Sequence, residues 1–349
     1  MGLTIRDIAK KANVSMSTVS RVLNNYPHIS SATKQKVADV IHEMNYVPSV
    51  YARSLSSQNS NIIGVVVPEI SNPFFGGVIK GITQIADQEN YNILLCNTDE
   101  DQIKERNALR MLQEYRIKGL IITPVTERGE YDKDYVEMFR NFGIDLVLVD
   151  RDIKYGNFNA VLFDDTTALF DLTSLLIENG HRDIAILAGD PRHVVSKRRV
   201  EGYISAFGAN GLEYKPSDIY ASSFSIEGAY CVTKKILDSC ELPTAIIGSS
   251  NMLSMGCLKA LSEHTLTIPN DIAFAGYDAL DMHEILNLNF TLVEKDVELL
   301  GRKAMNLLIA NFQHQSNDVN KIMLTPKLVV RGSEKFPKGR SSKSRKQCC

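Results

Sequence analysis

The chain has no apolar run approaching the roughly 20 residues that a membrane-spanning helix requires, so a helical membrane protein is excluded and no membrane partner is expected. Its N-terminus lacks a basic start followed by an apolar stretch, which argues against a secretory signal and for a cytoplasmic location. Cys96, Cys231, Cys240, Cys257, Cys348 and Cys349 show no paired metal-ligand spacing, and most sit in apolar segments. That is the pattern of reduced core thiols in a cytosolic protein. Also missing are a GxGxxG after the first strand, a P-loop lysine pattern and a GxSxG elbow. Neither an enzyme nor a bound metal or cofactor is therefore expected. No repeat of 20–50 residues stands out, which argues against a solenoid.

What is present is a soluble globular composition, 44% apolar and 23% charged. At 349 residues the chain is too long for one core, and two or three units are expected. The net charge of −2 conceals an asymmetry. Residues 1–60 carry seven Lys/Arg against three Asp/Glu, residues 331–349 seven against one, and the remainder 25 against 37. A basic head on an acidic body implies that the head alone meets a polyanion. The segment 333–349 is basic and Ser-rich and reads as a disordered tail.

The first segment reads as three short helices. Thr4 caps a helix over 5–12 with Ile5, Ile8 and Ala9 on one side, and Asn13 ends it. Ser15 caps a second helix to about Asn24, with Pro27 closing off any continuation. Ser30 or Ser31 caps a third, whose buried stripe is Val37, Val40, Ile41 and Met44. Two helices about three residues apart with a third bracing them outline a helix-turn-helix unit. The second helix sets Val19, Val22 and Leu23 against Ser17, Thr18 and Arg21. The latter face suits a flat polyanion. Next, residues 49–55 suit a two-turn helix opened by Pro48, too short to be stable in isolation, and a polar linker follows.

From Asn61 short apolar runs alternate with amphipathic segments. Expected strands are 62–67, 92–96, 119–123, 145–150, 160–163, 183–189, 244–249 and 271–278. This is an α/β alternation, which builds parallel sheets with helices on both faces. Eight strands in about 270 residues suggest two such units.

The motifs TIRDIAKKANVSMSTVSRVLN (4–24), YVPSVYARSL (46–55), IIGVVVPEISNPFF (62–75), VLVDRD (147–152), RRVEGY (198–203), IPNDIAFAGYD (268–278) and LVVRGS (328–333) occur in this order. Together they resemble the LacI/GalR family of bacterial transcription repressors over nearly the whole chain. The resemblance implies an α/β protein with an all-α helix-turn-helix head (1–46) and a hinge helix and linker (47–61). A two-subdomain core like that of periplasmic binding proteins would follow, with parallel sheets. Its first subdomain would comprise 62–160 and 291–322, and its second 161–290 and 323–332.

For the head, the resemblance makes Met16, Ser17 and Arg21 base-reading, with Thr18 beside them and Thr4, Ser15, Ser20 and Asn24 positioning the DNA backbone. Met16 suits a thymine methyl and Arg21 a guanine edge, although Met16 also lies at a spacing that would let it pack inward. Tyr51 and Arg53 fall in the hinge, and Leu55 matches the family's minor-groove wedge. A homodimer on a near-palindromic double-stranded operator follows from two-fold symmetry.

For the cleft, the resemblance implies a small carbohydrate-type effector held by Asn72, Phe74, Asp150, Arg151, Arg199, Ser250, Asn251, Asp278 and Lys295. Ser250-Asn251 stands where the family usually has Asn-Asp, and Lys295 where it commonly has Gln. With Arg151 and Arg199, these departures suggest a less acidic cleft and an anionic effector such as a sugar acid or sugar phosphate. A global catabolite regulator with a phosphorylated carrier protein as corepressor is the alternative. A periplasmic sugar-binding protein would share the core but not residues 4–24.

Overall fold

Three end-capping interactions define the helices of the N-terminal unit. The backbone N–H and hydroxyl of Thr4 both donate to the Asp7 carboxylate at the start of α1 (Ile5–Ala12), at 2.9 and 2.7 Å. Asn13 ends α1 with a left-handed φ of 50°. The Ser15 hydroxyl accepts from the N–H of Thr18 and caps α2 (Met16–Leu23). Ser30, rather than Ser31, caps α3 (Ser31–Glu43) by accepting from Thr33 N–H. Ile8, Ala9, Ala12, Val19, Val37 and Val40 form the core of this unit, with Val22, Leu23, Ile41 and Met44 packed against it.

These details come from a computed structural model that describes residues 3–23, 26–46, 60–125, 131–153, 156–239, 241–278, 289–313 and 319–338. The chain divides after Asn61 into two units.

The second unit alternates strands and helices. Its first part runs β1 (Ile62–Val67), α4 (Pro73–Gln88), β2 (Asn92–Asn97), α5 (Gln102–Glu114), β3 (Gly119–Ile122), α6 (Tyr131–Phe142), β4 (Asp145–Val149) and β5 (Asn159–Phe163). There follow α7 (Asp165–Glu178), β6 (Ile184–Gly189), α8 (Val194–Ala209), β7 (Ile219–Ala221), α9 (Ile226–Leu237), β8 (Ala245–Gly248), α10 (Asn251–Glu263) and β9 (Ala273–Tyr277). The chain closes with β10 (Thr291–Glu294), α11 (Val297–Gln313), β11 (Lys321–Leu324) and β12 (Lys327–Val329).

Two six-stranded sheets result, ordered β11-β5-β4-β3-β1-β2 and β12-β10-β9-β8-β6-β7. Every pairing is parallel except β10 with β12. Parallel strands are buried on both faces, which is why β3, β6, β8 and β9 read as unbroken apolar runs. Helices α4 and α11 cover one face of the first sheet, and α7 and α8 one face of the second. The crossing of α4 and α11 is tight. A side chain on Gly81 would meet the Glu298 carbonyl at 2.1 Å, and one on Gly301 the Val78 carbonyl at 2.1 Å.

The chain passes between the halves three times: from β5 to α7, from β10 to α11, and from β11 to β12. These positions correct the expected boundaries. Residues 161–163 belong to the first sheet because β5 stays in register with β4 and β11, as do 323 and 324 in β11. Residues 291–294 belong to the second sheet, paired with β9 and β12. The expected tail also starts too early. Ser333 and Glu334 are buried, and Ser333 Oγ donates to the Phe274 carbonyl at 2.6 Å. The Thr291 hydroxyl donates to Glu334, and the Phe336 ring lies 5.1 Å from that of buried His181. Basic neighbours in the sequence mask these anchoring contacts.

Candidate DNA interface and effector cleft

On the head, α2 buries Val19 and turns the opposite side outward. Met16 is 47% exposed, so it does not pack inward. Ser17 and Arg21 are exposed with it, and Thr18 and Ser20 are half-buried. The Ser15 hydroxyl lies 2.7 Å from that of Ser17 and 2.8 Å from that of Thr18. These hydroxyls thus form one cluster at the helix start, where free N–H groups also favour a phosphate. The Arg21 guanidinium lies 5.9 Å from the Tyr26 ring centroid, which restrains its direction. Thr4 sits at the start of α1, occupied with Asp7. Asn24, Tyr51, Arg53 and Leu55 lie outside the described residues.

In the second unit a cavity of about 280 Å³ opens between the C-terminal ends of the two sheets' strands. Such edges are where open parallel sheets bind ligands. Asn72, Phe74, Asp150, Arg151, Arg199, Ser250, Asn251 and Asp278 all line it, as the sequence suggested. Asn72 caps α4, its side-chain oxygen accepting from Phe74 N–H at 3.1 Å. The same oxygen accepts from Asn251 Nδ2 at 2.8 Å, so these two residues bridge the halves directly. Ser250 caps α10 by accepting from Leu253 N–H.

The cations of the cleft are already paired. Arg151 grips Glu100 with both nitrogens of its fork, at 2.8 and 2.6 Å. Burial would weaken its charge, but Glu100 holds the Arg151 pKa above its ordinary value. Arg192 forks onto Asp190, and the hydrogen bond from Arg192 is the main reason that Asp190 lies at about 2. Arg199 donates to the Ser249 carbonyl at 2.8 Å and to Asp165 at 3.4 Å, and stacks 4.7 Å from the Tyr277 ring centroid.

Lys295 does not line the cavity. Its side chain is fully buried behind the wall, 2.9 Å from Asp165 and 3.8 Å from Asp278. This corrects its expected contact with the effector: the preceding strand β10 carries it into the interior. Arg151, Arg199 and Lys295 thus each face a carboxylate already.

Two carboxylates stand at the cavity wall. Asp150 and Asp278 are 8% and 7% exposed; the Oδ1 of each is buried without a hydrogen bond, that of Asp278 facing the Lys295 ammonium at 3.8 Å. Burial pushes the Asp278 carboxyl up, opposed by Lys295 and Arg199. His193 at the start of α8 also keeps a buried nitrogen, Nδ1, without a hydrogen bond, as Arg151 and Arg199 do at Nε. Burial, then Arg151, brings its pKa down to about 4, so it is neutral at pH 7. Phe74, Phe75 and Phe224 supply apolar wall.

Asp165, Glu100, His193 and Phe224 were missed in the sequence. Asp165 sits directly after a strand, at the start of α7, which was the one available signal. It accepts from the Tyr277 hydroxyl as well as facing Arg199 and Lys295. Burial alone would raise its pKa, but Arg199 and Lys295 outweigh that and hold it at about 2. Glu100 and Phe224 lie in loops with no pattern to mark them.

The geometry agrees with known proteins. Residues 4–49 match the family described as bacterial regulatory proteins, lacI family. Residues 60–331 match the periplasmic binding proteins and sugar binding domain of the LacI family. The HTH-type transcriptional repressor PurR of Pasteurella multocida is 31% identical over 333 residues, which are 95% of this chain and 98% of the relative. Catabolite control protein A of Priestia megaterium is 30% identical over 336 residues, 96% of this chain and 100% of the relative. The lac repressor dimer bound to operator and the anti-inducer ONPF superposes with a TM-score of 0.81 at 25% identity, covering 96% of this chain and 100% of that one. A LacI family regulator from Enterococcus faecium with bound ribose gives 0.69 at 26% identity, covering 79% and 99%.

Proposed function

The chain belongs to the LacI family and is a DNA-binding transcriptional repressor, and from this premise we propose that a neutral polyhydroxylated effector in the cleft controls it. The observation that carries the effector class is the pairing pattern. Every cation proposed for the cleft already faces a carboxylate, and Asp150 and Asp278 present further carboxylate oxygens at the cavity wall. Sugar hydroxyls are donors that fit such oxygens, and the Phe74 and Phe224 rings suit the apolar face of a sugar ring. An added anion would meet the Asp150 and Asp278 carboxylates in a cleft whose cations each face a carboxylate already.

The head is read as half of a two-fold pair. A homodimer places two copies of α2 in successive major grooves of a near-palindromic operator. Met16, Ser17 and Arg21 read bases with Thr18 beside them, Thr4, Ser15, Ser20 and Asn24 hold the backbone, and Leu55 of the hinge enters the minor groove, with Tyr51 and Arg53 contacting DNA near it. Effector binding shifts the population of core states by a differential affinity of typically about 1–3 kcal/mol. Such a repressor works in the cytoplasm, where its DNA is.

The test is selection of bound fragments from random duplex DNA, repeated with neutral sugars, sugar acids and sugar phosphates. Recovery of a near-palindrome whose binding responds to a neutral sugar supports the reading. Response to acidic sugars alone overturns the effector class. No enriched sequence at low salt overturns the DNA assignment. The relative called catabolite control protein A favours a second reading, with a phosphorylated carrier protein as corepressor. Enhanced operator binding with that carrier, and none with sugars, would select it.

A further inference from the structure

Lys295 lies between the two halves of the core. It follows β10, just before the chain crosses into α11, and its side chain is wholly inaccessible to water. On one side are carboxylates of the second half: Asp165 at 2.9 Å and Asp278 at 3.8 Å. On the other are rings of the first half, Phe163 with its centroid at 4.7 Å and Phe74 at 5.4 Å. The Tyr277 ring completes the enclosure at 4.8 Å.

A buried ammonium is tolerated only when opposite charge and π faces replace its lost water. Here the replacements come from both halves. Asp165 stands at the start of α7, immediately after the first crossing, and Lys295 stands at the second. Their ion pair therefore joins two of the three strands of chain that connect the halves. Moving the halves apart would draw Phe74 and Phe163 off the ammonium and admit water to a charge pair that is dry in this arrangement.

We propose that Lys295 is the positioning residue of the hinge: its ammonium fastens the two crossings to each other and holds Asp278 in its ligand-accepting pose at the cleft wall. A neutral side chain in its place would leave Asp165 and Asp278 to share the Arg199 guanidinium as counter-charge. This inference does not depend on which effector binds.

Hydrogen–deuterium exchange of the full-length protein tests it without any ligand. Lys295→Gln is expected to speed exchange at least tenfold in peptides covering 160–166, 276–278 and 291–297. The outer strands β2 and β7 should exchange as in the wild type. Lys295→Arg keeps the charge and should restore slow exchange. Should Lys295→Gln fail to fold, the double variant Asp165→Asn with Lys295→Gln removes both charges and should show the same local acceleration. Wild-type exchange at the crossings in Lys295→Gln or in the double variant overturns the proposal. So does acceleration spread evenly over both sheets, or a Lys295→Arg variant as fast as Lys295→Gln.

Discussion

Asp150 and Asp278 occupy the same place in the two halves of the core. Each follows the third strand of its sheet, β4 in one and β9 in the other. Each takes a left-handed φ, 65° and 62° respectively. Each donates its backbone N–H to the neighbouring strand, to the carbonyls of Val161 at 3.0 Å and Val293 at 2.9 Å. Two similar backbones thus aim two carboxylates into one cavity from opposite sides. Asp tolerates the left-handed region better than most residues, and at both strand ends it turns the carboxylate toward the cavity.

Asp278→Asn should separate binding from stability. Burial raises the pKa of this carboxyl in the folded state. For a raised acid, the favourable contribution is present below the ordinary value of 3.8 and is lost as pH rises through the folded value. At pH 7 the charged form therefore weakens the fold, and the amide should melt at a higher temperature by calorimetry. Effector affinity should fall about tenfold or more, because a charged acceptor is lost. Unchanged affinity would remove Asp278 from the site.

Acid should loosen the core through Asp165. Its folded pKa is about 2 against an ordinary 3.8, so its contribution is present above 3.8 and is lost as pH falls through about 2. That contribution is on the order of 2 kcal/mol at neutral pH. Asp190 shifts in the same direction, but its pair with Arg192 is more exposed and is screened by water. Melting between pH 5 and pH 2 should show a decline that Asp165→Asn flattens and Asp190→Asn barely alters.

Arg21→Ala should relax sequence preference as well as affinity. A bidentate guanidinium contact is worth roughly 1–3 kcal/mol of discrimination at one base pair. Loss of affinity without any change in the selected sequence would move Arg21 to the phosphates.

Leu55→Ala should weaken operator binding strongly while the core melts as in the wild type. The wedge leucine acts only on bent DNA. A titration at fixed salt that shows wild-type affinity would reassign the hinge as a plain linker.

Gly202→Ala should damage the fold and the cleft together. A Cβ at this position would lie 2.2 Å from the Thr166 carbonyl of α7. Helices α7 and α8 would have to separate, drawing Arg199 on α8 away from Asp165 at the start of α7. A loss of several kcal/mol is expected, in the range of overpacked cores, visible as a lowered melting temperature.

Much of this architecture could be read before folding was considered. The caps Thr4, Ser15 and Ser30 and the stop at Asn13 act on groups no more than four residues away, so spacing reveals them. Buried parallel strands such as Ile184–Gly189 declare themselves as apolar runs. The short strands Ile219–Ala221 and Lys327–Val329 do not, because three residues carry too little pattern. Gly202 was visible within the motif RRVEGY, but its purpose, to bring α8 against α7, was not.

Local spacing was therefore sufficient for a helix-turn-helix outline and a doubled α/β core, and the family resemblance for most of the side chains around its cleft. The charge of that cleft came only from folding. Arg151 meets Glu100, and Arg199 and Lys295 converge on Asp165, across 34 to 130 positions of sequence. Counting cations in the chain pointed to an acidic ligand, whereas their three-dimensional pairing sets each of them against a carboxylate. Electrostatic energy depends on distance and burial, and neither is a property of a linear string.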